Sequence, residues 1–145
     1  MMVIIAIALV AGCSALPSTP DTHNEPFERQ LDNSELYKYI TRLTRGHPDQ
    51  SGFLALPNGI DAMAARLNLI EAAESTLDLQ YYIWHDDLTG KGLYYQLIQA
   101  ADRGVRVRIL LDDLDTTGKD QFLTEIDAHP NIEIRLFNPF PKTII

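Results

Sequence analysis

The sequence is poor in the residues that announce a chemistry. It has one cysteine, Cys13, so no intrachain disulfide can form. Its 12 Lys and Arg are outnumbered by 20 Asp and Glu, for a net charge of −8. That balance excludes strong general attraction to nucleic acid, which comes mostly from cations on phosphates. It also argues against a polybasic membrane anchor. No apolar run reaches the roughly 20 residues that span a bilayer. The histidines are His23, His47, His85 and His129, and none has a second His or a Cys at metal-ligand spacing. There is no nucleophile-elbow serine, and Thr89-Gly90-Lys91-Gly92 lacks the leading glycine of a phosphate-binding loop.

What is present fits one domain of 145 residues with ordinary globular composition. Residues 1–12 are almost wholly apolar and lead into Val10-Ala11-Gly12-Cys13. They read as a secretory signal peptide with small residues before its cleavage point. Val10 to Cys13 resembles the lipobox of bacterial lipoproteins, in which the Cys is diacylated. Two acyl chains would hold such a protein stably at a membrane. No Lys or Arg precedes the apolar run, a departure from the usual signal; the alternative is a buried N-terminal strand or helix with a free thiol, but a small-small-Cys ending followed by a polar stretch favours the lipoprotein. Ser14 after the Cys resembles an outer-membrane address. Residues 13–32, with Pro17, Pro20 and Pro26 among polar residues, read as an extended tether.

The folded part is expected over residues 33–145. Asn33 or Ser34 can cap a short helix with Leu36, Tyr39, Ile40 and Leu43 on one face, ended by Gly46 and Pro48. Phe53 to Leu56 reads as a short strand. From Asp61 the apolar period is helical through Met63, Leu67, Ile70 and Ala73. Leu77, Leu79, Tyr81 and Ile83 alternate with Asp78, Gln80, Tyr82 and Trp84, which predicts a strand. A helix over Gly92–Arg103, closed by Gly104, leads to a strand through Val105, Val107, Ile109 and Leu111. Lys119–Ala128 reads as another helix and Ile132, Ile134 and Leu136 as a last strand. With right-handed crossovers this is an α/β fold, a mostly parallel sheet with helices on both faces. Unpaired edges are expected at the Leu111 and Leu136 strands.

Sites in such sheets form beyond the carboxyl ends of the strands. That points to Gln80 and Tyr82 after one strand and to Asp112 and Asp113 after the next as pocket candidates. Gln80 could equally be a satisfied core amide. Asp113-Leu114-Asp115-Thr116-Thr117 has the D-x-D-x-T form of haloacid-dehalogenase-type phosphatases, in which the first Asp attacks phosphorus and Mg²⁺ neutralises charge. The same stretch begins like a calcium loop, but Thr124 stands where a Glu is needed. The plainest reading makes Asp115 and Asp120 turn and helix-capping residues. His85 and His129 read as turn residues.

A longer combination is more specific. Asn58-Gly59-Ile60-Asp61-Ala62, Leu79-Gln80-Tyr81-Tyr82-Ile83-Trp84, Arg103-Gly104-Val105-Arg106-Val107-Arg108, Leu110-Leu111-Asp112-Asp113 and His129-Pro130-Asn131 through Asn138-Pro139-Phe140 resemble the N-terminal segment of the phospholipase D superfamily, in particular cardiolipin synthases. The likeness runs from about Phe53 to Phe140. It implies a partial phospholipase D-like domain over 33–145, membrane phospholipids as substrates, no nucleic acid, no cofactor, and a remaining C-terminal part of the same domain as partner. In that family one His attacks a phosphodiester and forms a phosphohistidine, and a second serves as acid and base. Lysines stabilise the phosphoryl oxygens. These residues come from H-x-K-x-x-x-x-D motifs, and this sequence has none: Asp86-Asp87 follow His85, and Pro130-Asn131 follow His129. No catalytic residue carries over, and the 145 residues alone are expected to be inactive. The alternatives are an inactive envelope lipoprotein acting as a binding module, and the Mg²⁺-dependent phosphatase using Asp113 and Asp115.

Overall fold

Capping side chains start three of the four α-helices among the described residues. In the computed structural model, which describes residues 33–140, Ser34 Oγ accepts the Tyr37 amide at 3.1 Å and opens helix α1, Glu35–Thr44. Asn58 Oδ1 accepts the Ile60 amide at 2.8 Å and opens α2, Gly59–Ala72. Asp87 Oδ1 accepts the Gly90 amide at 2.8 Å and the Thr89 hydroxyl at 2.6 Å, opening α3, Leu88–Asp102. The strands are β1, Thr76–Tyr81, β2, Arg106–Asp112, and β3, Ile132–Phe137. A short 3-10 turn, Asp113–Asp115, precedes α4, Asp120–Asp127. The expected signal peptide and tether, residues 1–32, lie outside the described residues.

The three strands form a parallel sheet in the order β1-β2-β3. Val107, Ile109 and Leu111 of β2 are buried on one face. Leu93, Leu97, Ala100 and Ala101 of α3, Leu123 and Ile126 of α4, and Ile70 of α2 join them in one core. Arg103 Nη2 donates to the Ile70 and Glu71 carbonyls at 2.9 and 3.2 Å, satisfying orphan carbonyls at the end of α2. Gly104, at φ +94°, then turns the chain into β2.

The expected α/β fold with a parallel sheet is present, and the core residues of α2, α3 and α4 all pack with the face of β2 formed by Val107, Ile109 and Leu111. Strands that follow one another in space as in sequence, joined by right-handed crossovers, put both crossovers on the same side. The other face carries a lateral row of charge. Arg108, whose register partners are Asp78 and Glu133, meets Asp78 with Nε–Oδ1 at 2.5 Å and Nη2–Oδ2 at 2.8 Å. Arg135 Nε donates to Glu133 at 2.6 Å.

Other expectations need correction. Phe53–Leu56 is not a strand, and Phe53 is 95% exposed. A short apolar run with no pairing partner has nothing to hold it extended. Helix α3 begins at Leu88 rather than Gly92, because Asp87 caps it earlier. β1 stops at Tyr81, which rotates Trp84 out of the strand alternation and into the core. β2 is central, so the edges are β1 and β3 and not the Leu111 strand. On β3 the Ile134 amide is taken by Asp127 Oδ1 at 2.7 Å, which blunts that edge.

Gly90 sets how closely α3 approaches the loop after β1. A Cβ there would stand 2.0 Å from the His85 carbonyl oxygen and 3.0 Å from the Trp84 ring. Gly92, on the same helix, has open space. Gly90→Ala is expected to lose about 3 kcal/mol or more of stability by overpacking against backbone. Gly92→Ala is expected to gain about 0.5–1 kcal/mol. Urea midpoints of the two variants check this; equal midpoints would refute the close approach.

Candidate functional site at the carboxyl ends of the strands

The carboxyl ends of β1 and β2 meet at a node built on Trp84. Its backbone amide donates to Asp115 Oδ2 at 2.9 Å, and its carbonyl accepts Lys119 Nζ at 2.7 Å. Lys119 also reaches Asp115 Oδ2 at 2.8 Å, closing a triangle between the two loops. The indole Nε1 donates to the Gly90 carbonyl at 3.2 Å. The ring stacks on Tyr94, centroids 4.1 Å apart, and Tyr81 and Phe122 extend the aromatic series on either side. The Lys119 ammonium beside Asp115 holds that carboxyl below its usual range, with the Trp84 amide adding to the effect. Burial, with the Asp115 charge nearby, pushes the Tyr94 phenol well above its own.

On the face of the sheet away from the core, beside this node, Gln80, Tyr81, Tyr82, Leu110, Asp112 and Phe137 line a hollow of about 140 Å³. Three of the four expected pocket residues, Gln80, Tyr82 and Asp112, are therefore together. Gln80 is exposed and lines the hollow, so it is no core amide. Asp113 points elsewhere. Its Oδ2 accepts the Phe140 amide at 2.7 Å and its other oxygen accepts the Thr116 hydroxyl. Asp112 Oδ1 caps the 3-10 turn through the Leu114 amide at 3.0 Å. Its Oδ2 lies 3.5 Å from Asn138 Nδ2. The two neighbouring aspartates thus tie the end of β2 to the turn at residues 138–140.

The hollow offers an amide, a phenol and a carboxylate, which bind and orient hydroxyl-bearing or cationic groups, and no imidazole or ammonium is among its lining residues. Among the described residues no cluster of His, Cys, Asp and Glu could hold a metal ion. The phosphatase reading is not favoured. Asp113 is spent on Thr116 and Phe140, and Asp115 on Trp84 and Lys119. Nor is Asp115 or Asp120 a helix cap: Lys119 holds that position without a side-chain bond, and Asp120 sits in the first turn of α4. His85 is an exposed turn residue. His129, in the turn between α4 and β3, accepts the Asn131 amide at 3.1 Å and has Asp102 of α3 3.2 Å from its Nε2.

Sequence reading missed Lys119 and Tyr94 as members of this region. The Asp115–Lys119 spacing of four was a usable signal for an ion pair. Nothing local marked Tyr94, which reads as one more apolar position of a helix.

Residues 67–144 match the family described as cardiolipin synthase, PLD-like domain. Cardiolipin synthase C of Escherichia coli is 57% identical over 101 residues, 70% of this chain and 21% of that protein. The chain belongs to the cardiolipin synthase, phospholipase D-like family. An uncharacterised Helicobacter pylori protein is 33% identical over 96% of this chain and 28% of its own length. Cardiolipin synthase B of Shigella flexneri is 33% identical over 60% of the chain and 21% of that protein. The family chain described here thus spans between a fifth and a third of these relatives, as part of the domain. Among solved structures, TrmBL2, an archaeal chromatin protein, shares 21% identity at a TM-score of 0.45, covering 74% of this chain and 42% of that one, too slight a likeness to bear on function.

The Asp115 carboxylate is more acidic in the folded chain than in the unfolded one, so its stabilisation is present above about pH 4 and lost as pH falls through the lower, folded value. Asp115→Asn should cost about 1–3 kcal/mol at pH 7. That difference should shrink to nothing in acid. Chemical denaturation at a series of pH values from 7 downward measures it; a penalty that does not decline as the pH falls below about 4 would contradict the charge-based account.

Proposed function

We propose that this chain is the N-terminal part of a phosphatidyltransferase that acts on membrane phospholipids. The observation that carries the proposal is the 57% identity to a protein named cardiolipin synthase C. In this reading an imidazole supplied by polypeptide outside the 145 residues attacks the phosphorus of a phospholipid. The P–O bond to the headgroup alcohol breaks, and a phosphatidyl-histidine forms. A second imidazole protonates the leaving alcohol and then deprotonates the incoming one. A lipid alcohol as acceptor yields cardiolipin, and water yields phosphatidic acid. This chain's own part is structural and positional. The Trp84–Asp115–Lys119 triangle sets the two loops, and Asp112 and Asp113 direct the turn at 138–140.

The binding-module reading has no specific observation in its favour. Cys13 as a diacylated residue, holding the protein at the periplasmic face of the outer membrane, belongs to the same proposal.

Two experiments test it. The encoding DNA read beyond Ile145 should supply H-x-K-x-x-x-x-D. The longer product should transfer phosphatidyl groups between phospholipids in vesicles, while the 145-residue chain should show no transfer. Transfer by the 145-residue chain alone would overturn the division of labour. For the anchor, Cys13→Ser should move the protein from the membrane fraction to the soluble periplasmic fraction; unchanged fractionation would remove lipidation from the proposal.

A further inference from the structure

Helix α1 is anomalous in this fold. None of its residues is buried. Its apolar side chains are not scattered: Leu36, Tyr39, Ile40 and Leu43 stand at i, i+3, i+4 and i+7 and form one stripe, with Leu43 58% exposed. An isolated ten-residue helix is marginal in water, because nucleation costs more than so few hydrogen bonds return. Its cap at Ser34 and the Glu35 amide's bond to Glu74 Oε1 at 2.9 Å help only its first turn. A helix with a complete apolar stripe and no covering element among the described residues is stabilised when something apolar meets that stripe.

Charge identifies the occupant. The whole chain carries −8, yet Lys38, Arg42 and Arg45 follow one another along the side of α1 opposite the stripe. Glu35 is the one acid among residues 35–45, and it is paired with Lys38 at 2.7 Å. The segment is therefore locally cationic in an anionic protein. Tyr39 forms one border of the stripe and Tyr37 stands beyond the other, with the Arg42 guanidinium 5.9 Å from the Tyr39 ring centre. Aromatic rings with a polar tip favour the boundary between water and hydrocarbon. An apolar stripe, flanking tyrosines and a cationic back are the features of a helix lying in a membrane interface, its basic side chains reaching up to phosphates. No helix among the described residues is long and apolar enough to cross a membrane, so this one would lie on the surface.

We propose that α1 is an interfacial membrane helix that seats the α/β unit on an anionic phospholipid surface, stripe inward. It rests on the phospholipid reading above and adds to it a lipid-contacting face. The test uses the full 145-residue chain with Cys13→Ser and one introduced cysteine, labelled with a polarity-sensitive nitrobenzoxadiazole dye. The probe surface is vesicles of phosphatidylglycerol mixed with phosphatidylcholine, against pure phosphatidylcholine. With the dye at Leu43→Cys, emission should shift to the blue and rise several-fold on anionic vesicles. With it at Thr41→Cys, on the polar side, it should change little. Ile40→Asp should abolish the Leu43 response. Lys38→Gln with Arg42→Gln should raise the half-saturating lipid concentration about thirtyfold at low ionic strength, from about fivefold per cation. Emission of the single Trp84 without lipid reports that each variant is folded.

A silent Leu43 dye on vesicles that do retain the chain would overturn the proposal, since residues elsewhere would then hold it. So would equal responses on the two vesicle types, or a dye response that follows protein concentration without lipid, the mark of a second copy covering the stripe. The readout is independent of catalysis. A longer protein that transfers phosphatidyl groups while the Leu43 dye stays silent would refute only the helix.

Discussion

The organisation of this chain depends on the seating of Trp84. One residue receives the Lys119 ammonium at its carbonyl, gives its amide to Asp115, gives its indole N–H to the Gly90 carbonyl, and stacks on Tyr94. Those bonds come from three places in the sequence: the start of α3, the turn after β2, and the entry to α4. They close around a ring that is 7% exposed. In so sheltered a setting polar bonds are stronger than in water and costlier to lose. The loops after β1 and β2 are therefore one body, and the carboxyl ends of the strands have a defined geometry.

The second determinant is the strand order. Because β1, β2 and β3 are neighbours in sequence order, their crossover helices share one side. That side takes the apolar half of every strand. The other is left with Asp78, Arg108, Glu133 and Arg135 in a charged row, and with Gln80, Tyr82, Asp112 and Phe137 around the hollow at its end. Exposed lateral ion pairs of this kind contribute little stability, of the order of 0–1 kcal/mol each. Their consequence is that the face is polar along the sheet and aromatic at the carboxyl end. The hollow, the Asp112–Asp113 pair and the turn at 138–140 all lie at that end, where an α/β sheet places its chemistry. Family membership gives this arrangement its context.

Much of this was legible beforehand, for identifiable reasons. The alternation Val105, Val107, Ile109, Leu111 has one structural solution, and so does the helical spacing of Met63, Leu67 and Ile70. The grouping of Gln80, Tyr82 and Asp112 followed from placing each at the end of a strand. Boundaries were less legible. Asp87 as a cap moved the start of α3 four residues earlier, and a strand ending at Tyr81 rather than Ile83 reversed the side on which Trp84 lies.

What the amino-acid order determined alone was the periodicity of each segment, the caps that open its helices, and membership in a family whose H-x-K motif these residues lack. These properties are local or linear, so neighbours along the chain decide them. What only the tertiary structure decided was which distant partner each carboxylate takes. Asp112, Asp113 and Asp115 are near-equivalent in sequence, yet one borders the hollow, one holds Phe140 and one holds Lys119 and Trp84. The partners lie up to 31 residues away, and no local pattern encodes a hydrogen bond across that distance. The same holds for the packed face of the sheet and the uncovered stripe of α1, because burial is a property of what packs against a face and not of the face itself.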